Sequence, residues 1–309
     1  MLRQFPLALA ADLGSALLYG TALSGSFIGI VLAYLAMAPL FAIGLSFGWL
    51  VGLVAVGAAV AGVSVFGGIY PGLIFTASHA APCLFLIGLA LRNRSWSDGQ
   101  VYWYPAGRLL MASSLWCVAM IVVAGTMLSL YGQGFKESVI ALLEEMTTAF
   151  AAPGQSVMQP MDFADMAVVL PGLVAWSWLL MATLNGLIGQ MIARKTGQAL
   201  RPSPRIADIQ VGQWWIGLFA VCVLASLIAP GDVGFGAVNV AIVMAYPLFF
   251  QGLSVIHGLL NHWGAGAFGI GLFYFLLIFL GWLAVIVIAF GLAEPLVNLR
   301  TRFAGRRNT

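Results

Sequence analysis

The chain has 309 residues, 62% of them hydrophobic and only 7% charged, with a formal net charge of +3 and a mean hydropathy of +1.02. A soluble domain carries about 25% charged residues, so the composition excludes that class and points to an integral membrane protein with several spans. The apolar runs are continuous rather than alternating, which excludes an outer-membrane barrel and leaves helices, which satisfy their own backbone in lipid.

Eight segments are predicted to cross, near residues 7–36, 47–66, 69–91, 107–131, 166–193, 211–229, 235–261 and 267–292. The apolar run that opens the first, in MLRQFPLALAADLGS, is too short for a signal peptide. The Pro/Gly-rich MAPLFAIGLSFG (37–48) is expected to connect the first two spans. Small residues recur at helical spacing as Ala10/Gly14 and Ala16/Gly20 in the first span and as Gly44, Gly48 and Gly52 in GLSFGWLVG. Such stripes let helices approach closely, within the chain or against a partner. His79 lies about ten residues into the third span, beside Thr76, Ser78 and Pro82.

Between the fourth and fifth spans, FKESVIALLEEMTTAF (135–150) repeats Phe135, Val139, Leu142, Leu143, Met146 and Phe150 at helical spacing. It is too charged to span, so it is expected to lie at the interface, docked on the protein's own spans or on lipid. With the loop up to residue 165 it forms the one non-spanning region of a single membrane domain over 1–309. Asp162, with Asp165 three residues on, is expected to cap the fifth span. Arg92, Arg94 and Arg108 follow the third span, and Arg194, Lys195, Arg201 and Arg205 follow the fifth. With eight spans both loops fall on one side, cytoplasmic by the positive-inside rule, whereas the basic tail (300–309) falls on the other. These cations read as topology and headgroup signals, not as a nucleic-acid surface.

The seventh span carries the densest polar content, in YPLFFQGLSVIHGLLNHWG (246–264). At ~100° per residue, Asn239, Gln251, Ser254, His257 and Asn261 fall within an arc of about 120°. Pro247, on the same side, removes a backbone donor and frees a carbonyl. Lipid would penalise this stripe, so it must face the bundle interior or a water-filled cavity. The candidate substrate-binding residues are therefore Asn239, Gln251, Ser254, His257, Asn261 and His79. Asn185 and Gln190 read as interhelical fasteners. Cys83, Cys117 and Cys222 share no metal spacing. No HExxH, GxSxG or phosphate-binding loop occurs, so the expectation is a protein that is not an enzyme and needs no metal or cofactor.

Four stretches, MAPLFAIGLSFG, RPSPRIADIQVGQWW (201–215), YPLFFQGLSVIHGLLNHWG and GLAEPLVNLRTR (291–302), together resemble the YybS-like family of predicted bacterial membrane proteins, domain of unknown function 2232. The family's ending resembles Gly-x-x-Asp-x-x-x-Asp-x-Arg; here those positions are Gly291, Glu294, Asn298 and Arg300, with one carboxylate lengthened and the other neutralised. Its hydropathy is similar to the substrate-binding components of energy-coupling-factor transporters and to the rod-shape protein MreD. The family has no settled activity; the resemblance implies a bacterial inner-membrane, multi-pass bundle. With the polar stripe as a cavity, the expectation is a protein that binds or moves a small molecule, any coupling to ATP needing a partner subunit and ATPase. The alternative is a non-enzymatic scaffold that binds cell-envelope or division proteins.

Overall fold

The computed structural model describes residues 5–97, 99–150 and 165–299. Its helices in chain order are α1 (Phe5–Gly20), α2 (Phe27–Ala33), α3 (Met37–Phe47), α4 (Trp49–Gly67), α5 (Ile69–Phe75), α6 (Ala81–Ala90), α7 (Ala106–Tyr131), α8 (Phe135–Phe150), α9 (Leu170–Lys195), α10 (Gln213–Ile228), α11 (Gly231–His262), α12 (Gly266–Phe279) and α13 (Leu283–Val297). A short antiparallel hairpin, β1 (Asn93–Ser95) with β2 (Val101–Trp103), follows α6. The chain forms two compact units, Met1–Leu109 with Trp178–Pro204 and Leu110–Ser177 with Arg205–Thr309.

The protein is an all-α polytopic membrane bundle. Among the described residues six helices are long and apolar enough to cross, Phe27–Phe47, Trp49–Gly67, Ile69–Ala90, Ala106–Tyr131, Leu170–Lys195 and Gly231–His262, and a seventh arises if the pair α12 and α13, bent by 118°, is one span. The expected count of eight, give or take one, takes in the upper of these values. The predicted first span breaks after α1 into a 3-10 turn at Thr21–Ser24 and a left-handed Gly25. The predicted 37–48 connection is itself helical, and α2 and α3 together make one span. The predicted sixth span is α10, 16 residues long, short of the ~20 a crossing needs. Phe66 and Phe268, 89% and 83% exposed, are among many large apolar side chains turned outward, a pattern that water would penalise and lipid accepts.

In the first unit glycines set the helix ends. Gly48 (φ 97°) separates α3 from α4 and Gly68 (φ 94°) separates α4 from α5, a backbone region that side chains disfavour. The Gly44/Gly48/Gly52 stripe is thereby corrected: the helix ends at Gly48, and the other two glycines meet across the turn. A Cβ on Gly52 would sit 3.2 Å from Gly44 Cα, and Ile87 of α6 fills the space beside Gly44. In α1, Gly14 faces Pro39 and Ala16 faces Gly62 of α4, while nothing lies within 4 Å of a Cβ on Gly20. The side chain of Ala10 lies outside the described residues. Met37, Leu40, Phe75 and Ile87 form the fully buried centre. Where α2 gives way to α3, Ser15 Oγ donates to Ala36 O at 2.6 Å and Asn185 Nδ2 to Tyr34 O at 2.6 Å. Broken backbone at membrane depth is tolerated when side chains bond it in this way.

In the second unit α11 is the central element. Its 32 residues extend about 48 Å at ~1.5 Å per residue, well beyond the hydrocarbon thickness. α11 and α13 cross at two glycines: a Cβ on Gly252 would collide with Val287 O, and one on Gly291 with Leu248 O. The seam is therefore backbone against backbone, flanked by Phe249, Leu253, Ile256 and Val287. The amphipathic segment is the helix α8. Phe135 and Val139 are buried, and Phe135 packs edge-on to Phe235 of α11 with ring centroids 4.9 Å apart. Docking on the protein's own span accounts for its first half. The expected cap Asp162 lies outside the described residues; α9 begins at Leu170, and its start is bonded from α11.

Candidate functional site

The polar stripe of α11 divides into fasteners and residues that fasten nothing. Asn239 is fully buried. Its Oδ1 accepts from Gly172 N at 2.7 Å, and its Nδ2 donates to Val168 O at 3.0 Å and to Phe235 O at 2.8 Å. It caps the N-terminus of α9 from a neighbouring helix, the role the sequence suggested for Asp162. Gln251 accepts from Val211 N at 2.5 Å through Oε1 and donates to Gly291 O at 2.6 Å through Nε2. That carbonyl is free because Pro295, four residues on, has no N–H to offer it. Pro247 frees Val243 O in the same way, and on either side of that carbonyl Trp176 and Trp215 donate indole N–H groups to Ile242 O and Met244 O at 2.6 and 2.9 Å.

Ser254 is buried, and its Oγ has no hydrogen-bond partner. His257 Nδ1 lies 2.8 Å from Leu253 O, and Tyr274 Oη lies 3.3 Å from Nε2. A carbonyl only accepts, so Nδ1 carries the proton and Nε2 accepts from the tyrosine. Asn261 is exposed at the end of the helix. Asn239 and Gln251 are thus closed by backbone groups, and both His257 nitrogens have partners, whereas Ser254 Oγ retains polar capacity.

His79 belongs to the first unit, in a π-helical turn over Thr76–Ala80. Pro82 offers no N–H to Ser78 O, and Trp178 Nε1 donates to that carbonyl at 2.8 Å. π turns recur at functional positions. The His79 ring stacks on Phe75 with centroids 5.4 Å apart, and Tyr19 packs edge-on against both rings, 4.9 Å from Phe75 and 5.1 Å from His79. His79 Nδ1 lies 2.7 Å from Ser78 Oγ, which also reaches Ile74 O at 2.6 Å. One hydroxyl hydrogen cannot serve both; when Ser78 donates to Ile74, the imidazole donates from Nδ1 and Nε2 is left as a lone pair.

Tyr19 also borders a groove of about 520 Å³ between α1, α4 and the start of α5. Its walls include Leu13, Leu17, Ala58, Val63 and Phe66, and its polar end is Tyr19 and Thr21. Thr21 Oγ1 is engaged with Leu18 O at 2.6 Å and Gly29 O at 2.8 Å, so Tyr19 supplies the available polar atom. The volume lies within the range of about 300–1,000 Å³ typical of small-molecule sites. Sequence reading missed this groove because its lining is apolar and looks like any span.

Two charged residues have roles that sequence reading missed. Arg201 is only 7% exposed. It donates to Ala90 O at 2.9 Å, Tyr104 O at 3.5 Å and Pro202 O at 3.4 Å, and its guanidinium lies 6.0 Å from the Trp103 ring centre. Burial lowers its pKa below the ordinary arginine value. Gln190 Nε2 donates to Arg201 O at 2.8 Å, so the loops after α6 and α9 are tied together and lie on one side, as their basic residues led us to expect. Asp232 accepts from Phe135 N at 2.8 Å, Lys136 N at 3.2 Å and Ser129 Oγ at 2.6 Å, capping α8 from the first turn of α11. No group of three His, Cys, Asp or Glu side chains able to hold a metal occurs among the described residues.

The ending singled out in the sequence has a packing explanation at two of its positions. Gly291 admits the α11 backbone, and Asn298 (φ 50°) ends α13 in the left-handed conformation that asparagine tolerates, its N–H bonded to Glu294 O at 2.8 Å. Arg300 lies outside the described residues. Comparison with curated proteins and with solved structures yields no match. A family model described as a predicted membrane protein, domain of unknown function 2232, matches residues 15–294, and the chain belongs to that family of membrane proteins.

Proposed function

We propose that the protein binds an apolar or amphipathic small molecule within the bilayer and serves as a transporter or as the substrate-binding component of one. The observation that carries this reading is the groove of about 520 Å³ beside Tyr19. A ligand with an apolar body would occupy the walls formed by Leu17, Ala58 and Phe66, and one polar group would meet the Tyr19 hydroxyl. His79 stands behind that tyrosine and orients it through the ring contact. The helix break at 34–36 and the π turn at 76–80 support the same reading, since irregular backbone within the membrane is characteristic of transport proteins. Ser254, whose Oγ has no partner, is a second polar locus for the translocated molecule. Any coupling to ATP would come from a partner subunit, and no enzymatic step is part of this proposal.

The test is photocrosslinking. A benzophenone amino acid in place of Leu17 is irradiated in native membranes, and the adduct mass is measured. The expected result is a discrete small molecule that is not a bulk phospholipid; phospholipid adducts alone would sink the proposal. A second reading, the envelope or division scaffold, is favoured by the second half of α8, where Leu142, Glu145 and Met146 remain exposed. It predicts that reversing Glu144 and Glu145 breaks a complex, while Ala58→Leu in the groove does nothing.

A further inference from the structure

We infer that the face of the first unit formed by the loops after α6 and α9 is a binding surface for anionic phospholipid headgroups. Arg92, Arg94, Arg108, Arg194 and Lys195 are all exposed there. The sequence places only two carboxylates in this unit, Asp12 and Asp98, of which Asp98 belongs to these loops; Asp208, further along the loop after α9 and in the other unit, is paired with Arg205. The cations are held on one face by Arg201, which joins Ala90 O at the end of α6 and Tyr104 O of the first loop to its own position in the second.

The hairpin adds an aromatic component. Arg94 is paired across the strands with Tyr102, and Asn93 with Trp103. Residues opposite one another share a face and neighbours alternate, so Trp103 turns toward Arg201 and the Arg94–Tyr102 pair turns away from it. Tyr102 is 55% exposed and Trp96, before the turn, 68%. Tyrosine and tryptophan settle at the headgroup level of a bilayer, and a cluster of four to eight cations beside a span attracts anionic lipid. Arginine adds bidentate bonding to a phosphate. The chemistry is therefore that of a phosphate monoanion on a lipid held at the interface, with aromatic rings beside it.

The experiment uses the full chain in nanodiscs of phosphatidylcholine containing a minor fraction of phosphatidylglycerol, with retained lipid counted by native mass spectrometry. The wild type should retain phosphatidylglycerol over phosphatidylcholine. Arg94→Gln with Lys195→Gln should weaken that preference by about fivefold for each charge removed, while Lys136→Gln, in the other unit, should leave it unchanged. Both substituted residues are exposed, so folding is not at stake. Equal retention of the two lipids by the wild type would overturn the inference. So would an equal loss in the Lys136→Gln control, which would make the effect one of net charge alone.

Discussion

The two units treat their buried polar groups differently. In the second, the amides of α11 close seams: Asn239 caps α9, and Gln251 bridges Val211 and Gly291. Around them Gly252 and Gly291 bring α11 and α13 into backbone contact. In the first unit Gly48 and Gly68 end helices, polar side chains bond a broken backbone, and a groove stays open beside Tyr19. Polar residues in a span therefore do not by themselves mark a ligand site. An amide whose every polar atom is bonded to backbone fastens, and the open space lies where aromatic and aliphatic walls fail to meet.

The comparison can be broken most severely at the α11–α13 seam. Gly252→Ala puts a methyl group onto Val287 O, a backbone atom that cannot rotate away. The expected loss is about 3 kcal/mol or more, at or above the usual range for overpacking, seen as little folded protein on size-exclusion chromatography in detergent. Normal yield and melting temperature would show that the seam tolerates separation. Asn239→Ala comes next, because it leaves Gly172 N, Val168 O and Phe235 O without that partner. Two of these bonds leave α11, and at an average of about 0.6 kcal/mol for an interhelical hydrogen bond in a membrane they amount to about 1 kcal/mol, read as a lower thermal midpoint. Asp232→Ala should cost about 1 kcal/mol, typical of a lost cap, and act locally. Limited proteolysis should then cut α8 faster while the rest of the chain resists; unchanged cleavage would mean that Phe135 and Val139 hold the helix alone.

Much of the fold was legible in the sequence, for identifiable reasons. Continuous apolar runs gave the helical membrane class and most spans, and the charge pattern of 135–150 gave α8. A span boundary was misread at 37–48, where Pro39 and the glycines suggested a loop; Pro39 falls in the first turn of α3, where its missing N–H does no harm. The amide stripe was visible as a stripe, but whether it faced a cavity or a neighbouring carbonyl depends on helices distant in sequence. A cue was nevertheless present. Each of Pro82 and Pro295 frees the carbonyl four residues before it, and Trp178 and Gln251 are the donors that come to Ser78 and Gly291. The groove had no cue at all, since leucine, alanine and phenylalanine look the same whether they face lipid, a neighbour or a ligand.

The most direct test of this account is the amount of small molecule that co-purifies with the wild type, with Ala58→Leu and with Gln251→Ala, measured by mass spectrometry of organic extracts from equal amounts of folded protein. The account predicts that Ala58→Leu, which fills the groove, loses the molecule, while Gln251→Ala keeps it despite a lower thermal midpoint. Retention in Ala58→Leu with loss in Gln251→Ala would contradict it and return the ligand to the stripe of α11.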